Sequence, residues 1–406
     1  MHHEIENIIV GLDVGTAKIC VVVGKHISGT VEIIGVGQCR TSGLQKGFVI
    51  DIERTASAIR KAVDEAELMS GCTISNSVVG IADRFIHAQN TSGMITLTNH
   101  EVMAEDVQRV IESAQSIALH DDRKILHTIL QEFIVDTHHR IEHPVGIRGE
   151  RLEARVHLIT AGTASINNIV KACKKAALEA TEIVLQPLAS AEAVLMPEER
   201  EMGVVMIDIG CGTTDVALFT SSTLRHTAVI PVAGSHLTGD LAVGLHITLS
   251  EAERLKCLYG CCQKDVHNET SSVEVFASNG SISSIITGKS IRMILQARVT
   301  ELFAIVAKEL ELSGFKNDLV AGVVITGGTS LLPGIDRLAE QVLDMPVRLG
   351  KPLNMSGLAE NFCKPQYSTG IGLVLKAATP GITPEARPTS LFEAAKLQFT
   401  RLREYF

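Results

Sequence analysis

Residues 8–23 read IIVGLDVGTAKICVVV, and residues 204–220 read VVMIDIGCGTTDVALFT. Each is an apolar β-rich run, an Asp, an apolar residue, a Gly, a turn of small residues and a second β-rich run. The pattern predicts a hairpin whose first strand ends on an Asp. Finding the device twice, around Asp13 and Asp208, predicts two related lobes that each open with it. Gly15, Gly210 and Gly212 let a ligand approach the backbone. With Thr16, Ala17, Lys18, Cys211, Thr213 and Thr214 they form candidate anion cradles of amides, hydroxyls and one ammonium. A carboxylate beside a phosphate repels it, so Asp13 and Asp208 call for a cation between. Mg²⁺, which keeps its waters and bridges carboxylates to phosphates, suits that place.

A third glycine turn lies at residues 320–335, VAGVVITGGTSLLPGI. Its strand ends at Thr326, followed by Gly327, Gly328, Thr329 and Ser330. A helix with Pro333 near its first turn is expected behind them, a seat for an anion or nucleotide. No GK[ST] follows, so it is not a P-loop.

The totals fit such a chain. Its 406 residues are too many for one ordinary core. A net charge of −9 argues against general nucleic-acid binding. The nine cysteines lack metal spacing and read as reduced thiols. No signal peptide and no transmembrane run of ~20 residues is expected, so membrane contact would be peripheral.

Together these segments resemble the actin, sugar-kinase and DnaK-type ATPase superfamily. The resemblance implies an α/β, duplicated two-lobe ATPase fold that binds ATP and Mg²⁺ in a cleft. It makes residues 13–18 and 208–215 the phosphate loops and residues 326–331 the adenosine loop. Residues 186–191, QPLASA, and 367–372, YSTGIG, resemble the two connecting helices. Gly234 in GSHLTGD, with Glu253 and Lys256 in EAERLK, would face the ribose and adenine. Gln186 stands where actins place a water-positioning Gln, so slow hydrolysis is the most that is expected.

Within the superfamily the chain is similar to the FtsA-like bacterial division proteins. Residues 83–158 have an αβ character of their own, matching a subdomain those proteins insert in the first lobe. A helical stripe runs through residues 101–118, and strands are expected over 129–135 and 155–160. Residues 43–67 resemble the family's early strand and helix. The implied division is first lobe 1–82, insertion 83–158, first lobe again 159–197, second-lobe core 198–230, upper second lobe 231–297, second lobe again 298–350, and a return to the first lobe over 351–376. Residues 377–389, with Pro380, Pro384 and Pro388, read as a linker.

The segment SLFEAAKLQFTRLREYF, residues 390–406, reads as an amphipathic helix capped by Ser390. Phe392, Ala395, Phe399, Leu402 and Phe406 form its apolar face with Leu391 beside them, and Lys396 and Arg403 flank it. It fits a membrane surface, with packing on its own domain or in a protein groove as alternatives. Partial insertion of four large groups gives on the order of 5–8 kcal/mol before helix ordering, so one copy binds reversibly and an array binds far better.

The resemblance thus implies a protein that polymerises with itself on anionic phospholipid at the cytoplasmic side of the inner membrane. It would tether the FtsZ ring by the FtsZ C-terminal tail and help recruit other division proteins. Arg298 and Glu301 lie in the stretch that resembles the FtsZ-facing helix. The alternative is an ATP-dependent small-molecule kinase or chaperone-like ATPase of the same superfamily. No further carboxylate sits in an acceptor-site motif, and no peptide-binding domain follows the second lobe.

Overall fold

The computed structural model describes residues 8–379, except 28, 118, 264–271, 277–281, 354 and 358. Two sheets are built to one plan. In the first lobe the order is Glu179–Leu185, Asn76–Ile81, Ile8–Val14, Lys18–Ile27, Thr30–Arg40 and Met355–Gly357. In the second it is Val347–Leu349, Gly322–Thr326, Val204–Ile209, Thr214–Thr220 and Thr223–Ile230. In both, three consecutive strands form an antiparallel meander. The first of the three then pairs parallel with a strand that arrives later. The two hairpins therefore occupy equivalent places, and their Asp residues equivalent registers. Asp13 lies opposite Cys20 and Gly80, and Asp208 opposite Asp215 and Thr326.

Both hairpins read as continuous apolar runs because they are covered on both faces. Val204–Ile209 is buried along its whole length. On the first lobe, helix Ile52–Ser70 starts where the Asp51 carboxylate accepts from the Arg54 amide and stops at Gly71, φ 70°. Ile59, Ala62, Val63 and Ala66 of this helix join Leu12, Val21 and Val23 in one core. In the second lobe, helices Gly234–Leu245, Leu249–Tyr259 and Gly288–Ser313 surround a core that holds Leu241, Leu255, Leu295 and Phe303.

Between the lobes, helices Gln186–Val194 and Ser368–Ala378 cross, both rich in small residues. At the crossing a Cβ on Gly372 would sit 1.8 Å from the Ala189 carbonyl oxygen, so only glycine lets the backbones meet.

The inserted region carries its own sheet, in the order His87–Thr96, Arg151–Gly162, Arg123–Val135 and His138–Ile141. Helix Ala104–Gln115 covers it, and the Asp106 carboxylate accepts from the Met103 amide at the helix start. Val110 joins Leu97, Phe133 and Leu152 in a separate small core, with Val107 and Ile111 at its edge. The strands run longer than their apolar cores, because polar residues continue the ladder at the sheet's ends.

Two local expectations change. The helix expected behind residues 327–330, with Pro333 near its first turn, starts later: a 3₁₀ turn spans Gly328–Leu331, and helix Ile335–Leu343 begins only after Pro333. Pro333 holds Leu332 extended (ψ 116°), and Gly334 is left-handed at φ 79°, so the helix cannot start earlier. At the other end, helix Ser368–Ala378 runs into the stretch read as a linker from residue 377 and stops ahead of Pro380. The amphipathic helix over residues 390–406 lies outside the described residues. Among the described residues no helix is long and apolar enough to cross a membrane.

Candidate functional site

The two hairpin turns close in the same way. The Gly15 amide donates to the Lys18 carbonyl at 3.1 Å, and the Gly210 amide to the Thr213 carbonyl at 3.0 Å. They then meet across the cleft. A Cβ on Gly212 would lie 2.3 Å from Thr16 Oγ1, which itself accepts from the Gly47 amide at 3.0 Å. Ala17 is the exposed tip of the first turn, and its carbonyl accepts from Thr41.

The third glycine turn is tied to the second hairpin. Thr329 Oγ1 donates to the Gly210 carbonyl at 2.7 Å, and the Gly234 and Ser235 amides donate to Gly210 and Cys211. Gly327 backs onto the Asp208 carboxylate. Ser330 is buried, its hydroxyl donating to the Gly327 carbonyl, so it shapes the turn rather than facing a ligand. Thr214 likewise donates inward, to the Val232 carbonyl. Glu253 and Lys256 form an ion pair at 2.6 Å, and the Lys256 ammonium also reaches the Gly234 carbonyl and Thr238. The chain thus brings residues of all three glycine turns and this pair to one cleft.

Carboxylates crowd that cleft. Gln186 Nε2 donates to Asp13 Oδ1 at 3.0 Å, which places this Gln on the carboxylate the first hairpin presents. Burial pushes the Asp13 carboxyl up to about 7; Lys18 opposes that rise and Asp208 adds to it. Asp208 is also raised by burial, against hydroxyl donors Ser190 (2.6 Å) and Thr369 (3.1 Å). Asp215 is pushed well above the carboxylate range by burial and by Asp208, Asp13 and Asp83 together. Among the described residues Asp215 Oδ1 and Asp83 Oδ2 are buried without a hydrogen-bond partner.

Lys18 carries the matching positive charge. Its ammonium is buried with no hydrogen-bond partner among the described residues and lies 4.3 Å from the Tyr367 ring centroid. A buried ammonium without an acceptor is costly. A phosphate in the cradle of the two hairpins would satisfy it.

A divalent cation fits on the same grounds, as the partner of the raised carboxylates. Among the described residues no three His, Cys, Asp or Glu side chains are placed to hold a metal directly.

Ser190, Thr369, Asp215, Tyr367 and Asp83 are site residues that sequence reasoning missed. The first four lie inside segments it had already marked, but their roles depend on which strand ends the fold brings together. Arg298, singled out in the stretch that resembles the FtsZ-facing helix, is bidentate to Asp240 (2.5 and 2.9 Å) and paired with Glu301 at 2.6 Å.

Comparison with known proteins places this geometry. Residues 205–372 match the family model described as Cell division protein FtsA, and residues 84–160 match the SHS2 domain inserted in FTSA. The Cell division protein FtsA of Pseudomonas aeruginosa is 39% identical over 368 residues, covering 90% of this chain and 88% of the relative. That of Escherichia coli K12 is 38% identical over 375 residues, covering 90% and 89%. Among solved structures, the PilM-PilN type IV pilus biogenesis complex superposes with a TM-score of 0.67 at 16% identity, covering 92% of this chain and 99% of the other. MreB5 of Spiroplasma citri bound to ADP gives 0.55 at 14% identity, covering 90% and 94%. The fold is therefore that of the actin-like ATPases with an inserted SHS2 domain, and the chain belongs to the FtsA family of cell division proteins.

Proposed function

We propose that this division protein is an ATP-binding scaffold rather than a turnover enzyme. Mg²⁺–ATP sits between the lobes, its phosphates in the cradles of residues 15–18 and 210–214. Its cation is held through water by Asp13 and Asp208. The adenosine lies between Glu253, Lys256, Gly234 and the turn of residues 327–330. The observation that carries the reading is the meeting of the two Asp-bearing hairpins at Thr16 and Gly212, beside a buried Lys18 ammonium with no hydrogen-bond partner among the described residues. The MreB5 structures bound to ADP and AMPPNP support it by likeness of fold. Gln186, hydrogen-bonded to Asp13, orients water for slow hydrolysis. Single-turnover rates of wild type and Gln186→Ala test this, and equal rates would remove Gln186 from the mechanism.

The scaffold polymerises on the cytoplasmic face of the inner membrane at the division site, bound to anionic phospholipid by the helix of residues 390–406. It tethers the FtsZ ring by docking the FtsZ C-terminal tail near Arg298 and Glu301, and helps recruit later division proteins. Because Arg298 is already paired with Asp240, an acidic tail has to exchange with that carboxylate. Liposome co-sedimentation with and without residues 390–406, in the presence of ATP and FtsZ, tests the assembly. Pelleting that survives the deletion, or that survives Phe399→Asp, refutes the anchor. Failure to carry FtsZ down refutes the tether.

A further inference from the structure

Asp83 is wholly buried, at 0% exposure, yet only half of its carboxylate is accounted for. Oδ1 accepts from the Phe85 amide at 2.7 Å, while Oδ2 is buried with no hydrogen-bond partner among the described residues. Buried polar atoms are nearly always paired, and a lone carboxylate oxygen costs more than most. Its place in the fold says what the missing partner faces. Asp83 lies just past the C-terminal end of strand Asn76–Ile81, the strand that pairs with the Asp13 strand. Ligands of open α/β sheets bind beyond such ends. One glycine separates it from the first phosphate hairpin. The Gly47 amide donates to Thr16 Oγ1, and a Cβ on Gly47 would lie 3.0 Å from the Asp83 Cα. Across the cleft, the charge of Asp83 is felt at Asp215 of the second hairpin.

We infer that Asp83 is a further carboxylate of the nucleotide cleft, accepting an O–H from the water shell of the divalent cation that accompanies the nucleotide. This rests on the nucleotide-binding reading above and goes beyond the Asp13 and Asp208 pair. A carboxylate facing phosphates directly would repel them. Water between the two removes that objection, and Mg²⁺ is the cation that keeps its waters. Asp83 is then a positioning residue. It acts on cation occupancy and makes no contact with the nucleotide.

The test is equilibrium binding of a fluorescent ATP analogue to wild type, Asp83→Asn and Asp83→Ser, in EDTA and across a Mg²⁺ titration. Both variants should need roughly tenfold more Mg²⁺ for half of the affinity gain, the effect of one charge-assisted hydrogen bond. In EDTA they should bind as tightly as wild type or more tightly, because one negative charge near the phosphates is gone. An unchanged Mg²⁺ midpoint overturns the inference. So does an equal loss of affinity with and without Mg²⁺, which marks a structural role. Should Asp83→Asn fail to fold, the smaller Asp83→Ser carries the comparison. If wild type binds no nucleotide, the reading of the cleft itself fails. If wild type responds to Mg²⁺ and the variants match it, only the role of Asp83 falls.

Discussion

Replacing Asp13 with Asn should make the metal-free protein more stable, by an amount that grows with pH. The two side chains have nearly the same shape, and Asn can still accept from Gln186 Nε2 through its own oxygen. What changes is the charge. In the folded protein burial raises the Asp13 carboxyl from 3.8 to about 7. Between those values the folded state holds a proton that the unfolded chain has released. The wild-type carboxylate therefore costs stability as pH rises from about 4 to about 7, and the full cost is present above that. A shift of roughly three units at 1.36 kcal/mol each sets a ceiling of about 4 kcal/mol, and local relaxation of the cleft brings it to about 2–4 kcal/mol.

Urea unfolding in EDTA at pH 5 and pH 8 measures this directly. Asp13→Asn should unfold at higher urea than wild type at both values, with the gap at pH 5 less than half that at pH 8. Mg²⁺ with ATP should then reverse the order, because ligand binding stabilises wild type by mass action and the variant has lost a cation partner. A gap that is independent of pH would refute the reasoning. So would a variant that is less stable at pH 8 without metal, since either result means the Asp13 charge is already well compensated without a ligand.

Lys18→Gln should weaken ATP binding roughly tenfold to a hundredfold, as expected for a lost charge-assisted phosphate contact; fluorescence anisotropy with a labelled ATP checks it. Gly372→Ala forces a methyl to within 1.8 Å of the Ala189 carbonyl where the connecting helices cross. It should cost about 1–3 kcal/mol in urea unfolding. His127 and His157 are held at about 3 by burial, against 6.5 when unfolded, and His127 Nε2 accepts from the Leu185 amide. Each therefore costs stability as pH falls below 6.5 toward 3. His157→Gln should reduce the slope of that acid limb of the urea midpoint, on top of a pH-independent loss from its buried hydrogen bonds to Asn90 and Thr227.

Much of the plan was legible because it rests on short-range pattern. An apolar run, Asp, Gly and a second apolar run can hardly fold as anything but a hairpin, and its repetition placed both lobes and both carboxylates. The inserted subdomain showed as a helical stripe followed by two strands, and its helix, Ala104–Gln115, formed within that stripe. Pattern misled where a single backbone torsion decides. Pro333 looked like a first-turn proline, but its effect on Leu332 and the left-handed Gly334 push the helix start to Ile335. It was silent where partners come from far along the chain. Nothing near Arg298 in sequence announces Asp240, and nothing near Asp83 announces Asp215.

That silence matters most at the duplicated carboxylates. Asp13 and Asp208 occupy the same place in the same motif, and local sequence makes them equivalent. Their neighbours make them different. Asp208 receives two hydroxyls, from Ser190 and Thr369, one on each connecting helix. Those donors favour the charged form and offset part of its burial. Asp13 receives one amide from Gln186, the first residue of the connecting helix that carries Ser190, and stands opposite Gly80, which offers no side chain. Asp208 is thus partly stabilised before any ligand arrives, whereas Asp13 has an ammonium nearby but no hydroxyl. Gln186 heads the helix that also carries Ser190, so the amide on Asp13 and one of the two hydroxyls on Asp208 ride on the same element. Duplication supplied two equal carboxylates, and the residues packed against them left Asp208 with two hydroxyl donors and Asp13 with one amide.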